Sequence, residues 1–271
     1  MRLRTFAIRN TRELLRDPLT LFFGLGFPLV LLFLLSAIQA NVPVALFEIR
    51  HLTPGITVFG LSFVTLFSAT IISRDRTSSL LQRLYTTPMT PVDFIVGYTL
   101  PMIPIAVAQC AICYGAAVII GMPVTVHILW SILFTVPVSI VFIALGLLCG
   151  SVLNDKQVGG ICGALLTNLS AWLSGVWFDL DLVGEGFKKV ANCLPFVHAV
   201  ELQRAVIAGA YADIFPHLWW VLGYGIVTTA AAALLFLRHM KKQYKRGASA
   251  PLFYCCNNSS STGVTMEVMT V

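Results

Sequence analysis

Six apolar stretches, each close to the length of a membrane-crossing helix, constrain the fold of this chain more than any other feature. A helix needs roughly 20 apolar residues to cross a bilayer, where its backbone polar groups must be hydrogen-bonded within the chain. Only 11% of the residues are charged, far below the roughly 25% of soluble domains. We therefore predict an all-α polytopic membrane protein with six transmembrane helices. The predicted spans are 19–38, 54–73, 94–121, 127–153, 158–178 and 216–237.

The distribution of basic residues predicts the orientation of these spans. Lys and Arg accumulate on the cytoplasmic side of membrane proteins. In the six-span arrangement, 14 of the 18 Lys and Arg residues lie on the side that holds both termini. We therefore expect a multi-pass protein of the inner (plasma) membrane with both termini in the cytoplasm. The net charge of +6 is attributed to topology and not to nucleic-acid binding, because the chain has no basic face with base-stacking aromatic residues.

The segments on either side of the spans carry most of this positive charge. Residues 1–18 are predicted to form an amphipathic helix on the cytoplasmic leaflet, with its apolar side in the acyl boundary of the bilayer. A solvated arm that only directs topology is the alternative. The predicted apolar face contains Leu3, Phe6, Ala7, Asn10 and Leu14. Residues 238–271 are predicted to be a basic cytoplasmic tail without stable structure, since the part from 248 onward is rich in Ser, Thr and Asn.

The chemistry of the spans excludes several function classes. They contain no Asp, Glu, Lys or Arg, and His only at their edges, which argues against coupling to an ion gradient. Carbonyl-lined or hydroxyl-lined ion sites remain open. No G-x-x-x-x-G-K-[ST] motif occurs, so we predict that the chain is not an enzyme and does not hydrolyse ATP itself. No catalytic residues, metal site or cofactor of its own are predicted.

The loop between the second and third predicted spans has the pattern of a short amphipathic helix over about 75–86, which Pro88 ends. Leu80, Leu81, Leu84 and Tyr85 lie on one side of this helix, and Asp75, Arg76, Ser78, Gln82 and Arg83 lie largely on the other. Such a helix beneath the membrane can press its apolar side into a groove on a cytoplasmic partner. An interfacial helix that binds only lipid is the alternative.

Here the sequence resembles the type-2 permeases of ATP-binding-cassette (ABC) exporters. The resemblance rests on Asp75, Arg76, Leu81, Arg83, Leu84, Thr87 and Pro88, followed by Gly97. Arg16-Asp17-Pro18 before the first span and Pro195-x-x-His198, with Arg204 and Gly209, before the last are also similar to the family. One departure is that the family often has Gly near Ser78 or Ser79.

The resemblance implies a twelve-helix unit of two permeases, or of this permease and a relative, on two cytoplasmic P-loop ATPase subunits that carry ATP and Mg. It also implies that the 75–86 helix couples the ATPases to the spans. The implied coupling residues are Asp75, Arg76, Leu80, Leu81, Arg83, Leu84, Tyr85 and Pro88. The family forms an outer exit gate from short helices before the last span, which makes His198, Glu201 and Arg204 candidate gate residues.

Small and hydroxyl-bearing residues in the spans offer a candidate substrate path. Its candidate residues are Ser62, Thr65, Ser68, Thr167, Asn168 and Trp172. Hydrogen bonding between helices is the alternative role for these side chains. A stripe of Gly159, Gly163, Thr167, Ala171 and Ser174 predicts either a path and dimer face or close helix packing. In the gate region, His198 and Glu201 are three residues apart, so we expect them to share a helix face on which they can pair and stabilise the gate. Simple solvation of an outer loop is the alternative.

Together these features predict the permease subunit of an ABC exporter that moves an amphipathic or apolar cargo, such as a drug, an antibiotic or a lipid-like molecule. The predicted partners are a cytoplasmic ATPase, a second permease and the lipid bilayer. Polysaccharide export, a carrier or channel outside the ABC class, and a membrane scaffold are the alternatives.

Overall fold

A computed structural model describes residues 2–42, 47–78 and 91–249. These residues are helical almost throughout and include no strand, which confirms the all-α prediction. The helices are α1 (Arg2–Leu15), α2 (Pro18–Leu21), α3 (Phe27–Asn41), α4 (Ile49–Thr77), α5 (Pro91–Thr99), α6 (Met102–Ile120), α7 (Val126–Val152), α8 (Asp155–Val158), α9 (Thr167–Leu173), α10 (Glu185–Asn192), α11 (Pro195–Ala208) and α12 (Tyr211–Ser249). Two π-helical turns, Phe22–Gly26 and Gly159–Leu166, join α2 to α3 and α8 to α9.

Within the described residues, five helices are long and apolar enough to cross a membrane. They are Phe22–Asn41, Ile49–Thr77, Val92–Ile120, Val126–Val152 and Tyr211–Leu235, and each matches a predicted span. The remaining predicted span, 158–178, is helical through α8, the π-helical turn and α9, and ends before the turn at Gly175, whose φ is +68°. The count of six transmembrane helices therefore stays a prediction.

The long helix α4 occupies the centre of the bundle. Within its most apolar 18-residue window, 89% of the residues are buried inside the protein. Its closest neighbour is α7, which approaches through Gly146 and Gly150. A Cβ atom at Gly146 would lie 2.5 Å from the carbonyl oxygen of Thr65, and one at Gly150 would lie 2.6 Å from that of Ala69. Two glycines one turn apart thus allow the backbones of α4 and α7 to touch.

The predicted span 94–121 is divided into two helices. α5 ends at Thr99, and α6 begins at Met102 after a turn at Leu100 and Pro101. Pro101 and Pro104 have no amide hydrogen and cannot continue the hydrogen-bond ladder, which explains the break. The span is therefore bent near one end of the bundle.

The last helix extends beyond the predicted span. α12 continues past residue 237, where the sequence analysis begins the unstructured tail, and ends at Ser249. Residues 238–246 contain Lys, Arg, Gln and Met but no Gly or Pro, so helix propensity favours this extension. The rest of the predicted tail, 250–271, lies outside the described residues.

Candidate functional site

The N-terminal helix α1 packs against α5 at one end of the bundle. The ring of Phe6 meets those of Phe94 and Tyr98 edge-on, with ring centroids 5.8 Å and 5.0 Å apart. The side-chain Nδ2 of Asn10, which is fully buried, donates to the carbonyl oxygen of Gly97 at 3.0 Å. Gly97 also leaves room for the ring of Phe6, because a Cβ atom there would lie 2.3 Å from Cδ1 of Phe6.

This packing corrects the expected role of the apolar face of α1. Phe6, Ala7, Asn10 and Leu14 are buried within the protein and do not extend into the acyl boundary. The face was assigned to lipid because amphipathic periodicity does not distinguish a lipid surface from a protein surface. The predicted fifth member of that face, Leu3, is half-buried.

A partly buried ion pair joins α1 to the end of α4. Arg9 donates from Nη1 to Oδ2 of Asp75 at 2.6 Å and from Nη2 to Oδ1 at 2.8 Å. The hydroxyl of Tyr98 in α5 also donates to Oδ2 of Asp75, at 2.9 Å. The side chain of Asp75 is only 3% exposed, so these charge-assisted bonds replace its hydration. We call Arg9, Asp75 and Tyr98 the coupling cluster.

Neighbouring residues of α4 hold the same end of the helix to α7 and α8. Arg76 donates to the carbonyl oxygens of Ser151 and Leu153, the latter at 2.7 Å. These carbonyls belong to the C-terminal end of α7, where backbone acceptors lack helical partners and a cation is favoured. The hydroxyl of Ser73 donates to Oδ1 of Asp155 in α8 at 3.2 Å. The last turn of α4 is therefore bound on three sides.

Asp75 and Arg76 occupy positions different from those expected in the sequence analysis. A separate helix was expected to begin at about 75, with both residues on its polar face. The structure instead places them in the last turn of α4, which ends at Thr77, and Ser78 is extended with ψ 157°. Asp75 can be buried because Arg9 neutralises its charge. Local periodicity could not predict this pairing, since Arg9 lies 66 residues earlier in the chain. The other implied coupling residues, Leu80, Leu81, Arg83, Leu84, Tyr85 and Pro88, lie outside the described residues.

Two residues of the coupling cluster flank residues 79–90 in the sequence, Asp75 before them and Tyr98 after them. Asp75 precedes this segment by a few residues and is bound to Arg9. α5 follows the segment and contacts α1 through Phe94, Gly97 and Tyr98. The helices that precede and follow residues 79–90 are therefore both in contact with α1.

The hydroxyls proposed for a substrate path in α4 lie in helix contacts. Ser62 and Ser170 share a hydrogen bond of 2.5 Å, and Thr65 donates to the carbonyl oxygen of Phe142 at 2.8 Å. Ser68 donates to the carbonyl oxygen of Ile143 at 3.5 Å. All three α4 side chains are buried, so within a single chain they have the alternative role of interhelical hydrogen bonding.

The candidate path residues of α9 lie on opposite sides of that helix. Thr167 is buried and donates to the carbonyl oxygen of Cys162 at 3.0 Å. Asn168 and Trp172 are exposed, and Trp172 is 53% exposed. The small-residue stripe also divides, because Ala171 and Ser174 are buried whereas a Cβ at Gly159 would have nothing within 4 Å. Most of the stripe therefore serves helix packing, and Asn168 and Trp172 remain available to a partner.

At the opposite end of the bundle, His198 of α11 pairs with α12 and not with Glu201 as expected. Its Nδ1 lies 3.0 Å from Nδ1 of His217, and its Nε2 lies 2.9 Å from the carbonyl oxygen of Asn192. The ring also stacks on Trp220, with centroids 5.0 Å apart and planes 8° apart. Burial lowers the pKa of His198, as does the nearby His217, while the Asn192 carbonyl and Glu201 act in the opposite direction.

The other two candidate gate residues form an ion pair beside a cavity. Arg204 donates to Oε1 of Glu201 at 2.8 Å and to the carbonyl oxygens of His51 at 3.4 Å and Gly175 at 3.2 Å. The adjacent cavity has a volume of about 750 Å³. Its charged or titratable lining residues are Glu48, Arg50, His51, His127, Glu201, Arg204, Asp213 and His217. Arg204 thus connects the start of α4, the turn after α9 and α11 beside a cavity with charges of both signs.

A comparison with known protein families finds a match that covers most of these helices. The family model for the ABC-2 type transporter matches residues 1–208, which include the coupling cluster and all of α11. The chain belongs to the ABC-2 type transporter family. This family supplies the membrane subunits of type-2 ABC transporters, so the permease is a multi-pass membrane protein with an ABC ATPase as its partner. A comparison with curated proteins finds no match.

One buried polar network of the permease was not predicted from the sequence. The hydroxyls of Tyr114 and Ser131 are 2.6 Å apart, and Ser131 also bonds to Oε1 of Gln203. Nε2 of Gln203 donates to the hydroxyl of Thr135 at 3.2 Å. These bonds hold α11 against α6 and α7. The signal that could have found the network is the presence of polar side chains inside apolar spans, where each requires a partner.

Proposed function

We propose that this permease is the transmembrane subunit of an ABC exporter for an amphipathic or apolar cargo. The observation that supports the proposal best is the coupling cluster, which binds the end of α4 to α1 and α5 on both sides of residues 79–90. A cytoplasmic ATPase would dock on this segment. The cargo would leave the cytoplasm or the inner leaflet.

The contacts at the end of α4 suggest how ATP hydrolysis would reach the spans. Closure of the ATPases would displace residues 79–90. Because the two hydrogen bonds between Arg9 and Asp75 fix both distance and angle, α4 and α1 would move as one body. α4 is central and contacts α7 and α11, so its displacement would alter the bundle up to the outer cavity.

The route of the cargo would need a second permease, either another copy of this chain or a relative. Asn168 and Trp172 are exposed on the surface of a single chain, on a helix that lies at membrane depth in the six-span arrangement. A facing permease would cover them and complete a path between the two subunits. The described spans other than α12 contain charged residues only near their ends, which favours a cargo with large apolar surface.

Copurification tests the proposal directly. The tagged permease would be isolated from its native membrane and probed for cytoplasmic P-loop ATPases, comparing wild type with Leu84→Asp and Val124→Asp. Leu84 lies on the apolar side of the predicted 75–86 helix, and Val124 is an exposed residue between α6 and α7 on the predicted outer side. We expect an ATPase with wild type and Val124→Asp, and its loss with Leu84→Asp. If no ATPase accompanies any of the three proteins, the exporter mechanism fails and a carrier or scaffold role takes its place.

A further inference from the structure

A second cavity lies on the outside of the bundle, between α1, the start of the first span and α6. Its volume is about 730 Å³, within the range of roughly 300–1,000 Å³ that is usual for sites of small ligands. Its lining is apolar except for Arg4 and Thr11. We call it the α1 groove.

The α1 groove forms because only one face of α1 packs on the protein, while another face lines the groove. Phe6, Ala7, Asn10 and Leu14 pack on the protein, whereas Arg4, Ile8, Thr11 and Leu15 follow one another at spacings of four, three and four along the groove. Ile8 and Leu15 are exposed although they are apolar. The second face of α1 is therefore available to a ligand.

The opposite wall of the groove is the bent third span. Leu100, Pro101, Pro104, Ile105 and Ala108 line it. The bend at Leu100–Pro101 separates α6 from α5, on which α1 rests, and so leaves space between α1 and α6. The wall is continuous with the apolar surface of α6, which a bilayer would cover.

Electrostatics distinguish this groove from ordinary lipid-facing surface. Arg4 lies in its lining, whereas the carboxylates of Glu13 and Asp75 are bound to Arg9, at 2.7 Å and 2.6 Å, and do not line the groove. Among the described residues, no carboxylate oxygen lies within 4.0 Å of the Arg4 guanidinium. The cationic end of the groove thus fits an anionic group, and its apolar length fits an acyl chain.

We propose that the α1 groove binds one anionic phospholipid of the adjacent leaflet, with its phosphate at Arg4 and one acyl chain between Ile8 and Ala108. Basic pockets at the ends of transmembrane helices bind anionic lipid head groups. The lipid would fill the space beside α1 and hold the helix against the bundle. This inference does not depend on the ATPase or on the direction of transport.

A second apolar groove in the protein serves as the internal control for lipid selection. A groove of about 440 Å³ between α7 and α12 is also apolar, and its lining includes Pro137, Leu222 and Ile226 but no charged residue. If the bilayer simply fills apolar grooves, anionic and zwitterionic lipids should occupy both grooves in the same ratio. If Arg4 selects the lipid, only the α1 groove should prefer the anionic one.

Photolabelling of the full-length protein in phosphatidylcholine nanodiscs separates these cases. Trace phosphatidylglycerol or phosphatidylcholine with a diazirine in the acyl chain would be activated, and the labelled peptides mapped by mass spectrometry. We expect phosphatidylglycerol to label α1 and α6 about fivefold more than phosphatidylcholine, the ratio for one basic residue near a membrane surface. Equal labelling by the two lipids in the α1 groove would overturn the proposal.

Matched variants test the role of Arg4. Arg4→Gln should reduce the preference for phosphatidylglycerol to about one, whereas Arg4→Lys and Arg12→Gln, which changes an exposed arginine outside the groove lining, should preserve it. An equal loss with Arg12→Gln would show a diffuse surface charge and not a site.

Filling the groove provides an independent measurement. Ala108→Trp should abolish labelling of the α1 groove by both lipids. Ile119→Trp, a change at the 83% exposed far end of α6, should leave labelling unchanged. Persistent labelling of α1 in a folded Ala108→Trp protein would contradict the proposed position of the acyl chain.

Discussion

At the scale of single residues, the surroundings of Asp75 require a charged carboxylate at this position. Its carboxylate is almost fully buried and accepts hydrogen bonds from Arg9 and Tyr98. A buried carboxylate with three such bonds has no other source of solvation, and loss of its charge leaves Arg9 without its main partner. The glutamate that also contacts Arg9, Glu13, is one-third exposed and can be hydrated by water instead.

The first prediction compares these two carboxylates. Asp75→Asn should lower the free energy of unfolding by about 1–3 kcal/mol, because hydrogen bonds to a buried charged group are lost. Glu13→Gln should lower it by less than about 1 kcal/mol, since the pair is at the surface. Thermal unfolding of the purified proteins measures both changes. If Glu13→Gln destabilises the protein as much as Asp75→Asn, the ion pair between Arg9 and Asp75 does not hold α1 to α4.

The second prediction concerns transmission through the same residue. If the coupling cluster carries motion from the ATPase, Asp75→Asn should retain the copurified ATPase while reducing cargo-stimulated ATP hydrolysis in reconstituted vesicles. Leu84→Asp should instead lose the ATPase itself. Normal stimulation in a folded Asp75→Asn protein would rule out the cluster as the connection.

The third prediction is the pH dependence that His198 confers. The pKa of a histidine is about 6.5 in an unfolded chain, and burial holds that of His198 below this value in the folded protein. The neutral ring therefore stabilises the fold above about pH 6.5, and this contribution is lost as the pH falls from there through the folded pKa. In the neutral ring Nε2 of His198 donates to the Asn192 carbonyl, so Nδ1 is the acceptor in the bond to His217. A proton added at Nδ1 would remove this acceptor and disrupt the bond.

Thermal unfolding at about pH 7.5 and about pH 5.5 measures this effect. The loss of Tm at the lower pH should be larger for wild type than for His198→Gln, which does not titrate. The surrounding groups that modulate the ring are His217, Glu201, Trp220 and the Asn192 carbonyl. Parallel pH profiles for the two proteins would assign the dependence to other residues.

At the scale of elements, the contact between α4 and α7 determines how closely the centre of the bundle packs. Gly146 and Gly150 bring the two backbones together, and Thr65 and Ser68 then reach carbonyl oxygens of α7. In lipid the hydrophobic effect does not drive helices together, so such close contacts and hydrogen bonds supply much of the association.

The fourth prediction uses the same substitution at two glycines. Gly146→Ala should destabilise the protein by about 1–3 kcal/mol, because the new methyl group would overlap the Thr65 carbonyl. Gly115→Ala, on α6, should be neutral or stabilising by up to about 1 kcal/mol, since its Cβ would have nothing within 4 Å and alanine favours the helix. Comparable losses of Tm at both positions would contradict the close packing of α4 and α7.

At the scale of the whole molecule, the number of crossings decides on which side of the membrane α10 and α11 lie. The segment from α8 to α9 is helical over residues 155–173 and is interrupted by a π-helical turn. If it crosses the bilayer, then in the predicted orientation α10 and α11 lie outside the cell and both termini lie in the cytoplasm. If it does not cross, Cys193 and the N-terminus lie on the same side.

The fifth prediction tests this topology by chemical labelling of native cysteines. Cys193 is exposed in the structure, whereas Cys110, Cys113 and Cys162 are buried. A membrane-impermeant maleimide should therefore label Cys193 in intact cells, and should label the tail cysteines Cys255 and Cys256 only after the cells are opened. Cys193→Ser should abolish the external signal. If the reagent instead labels Cys255 and Cys256 in intact cells and does not label Cys193, the chain crosses the membrane five times.

Local composition and periodicity were sufficient to predict much of this fold. Five spans and the helical character of the fifth predicted stretch follow from runs of apolar residues and their breakers, which act over a few turns. The separate helices before the last span were expected only from the family resemblance. The family also follows from short motifs in order. The position of Asp17 and Pro18 before the first span and of Pro195 at the start of α11 agrees with these motifs.

Only the tertiary structure decided which side chains meet. Asp75 has the local pattern of a solvent-exposed carboxylate, and its burial depends on Arg9, 66 residues away. His198 and Glu201 satisfy helical spacing, yet His198 pairs with His217 because α12 packs against α11. Ser62, Thr65 and Ser68 resemble a polar path in sequence and become packing contacts because α7 and α9 supply their partners. Helix periodicity is a property of one segment, whereas burial and pairing depend on which segments become neighbours.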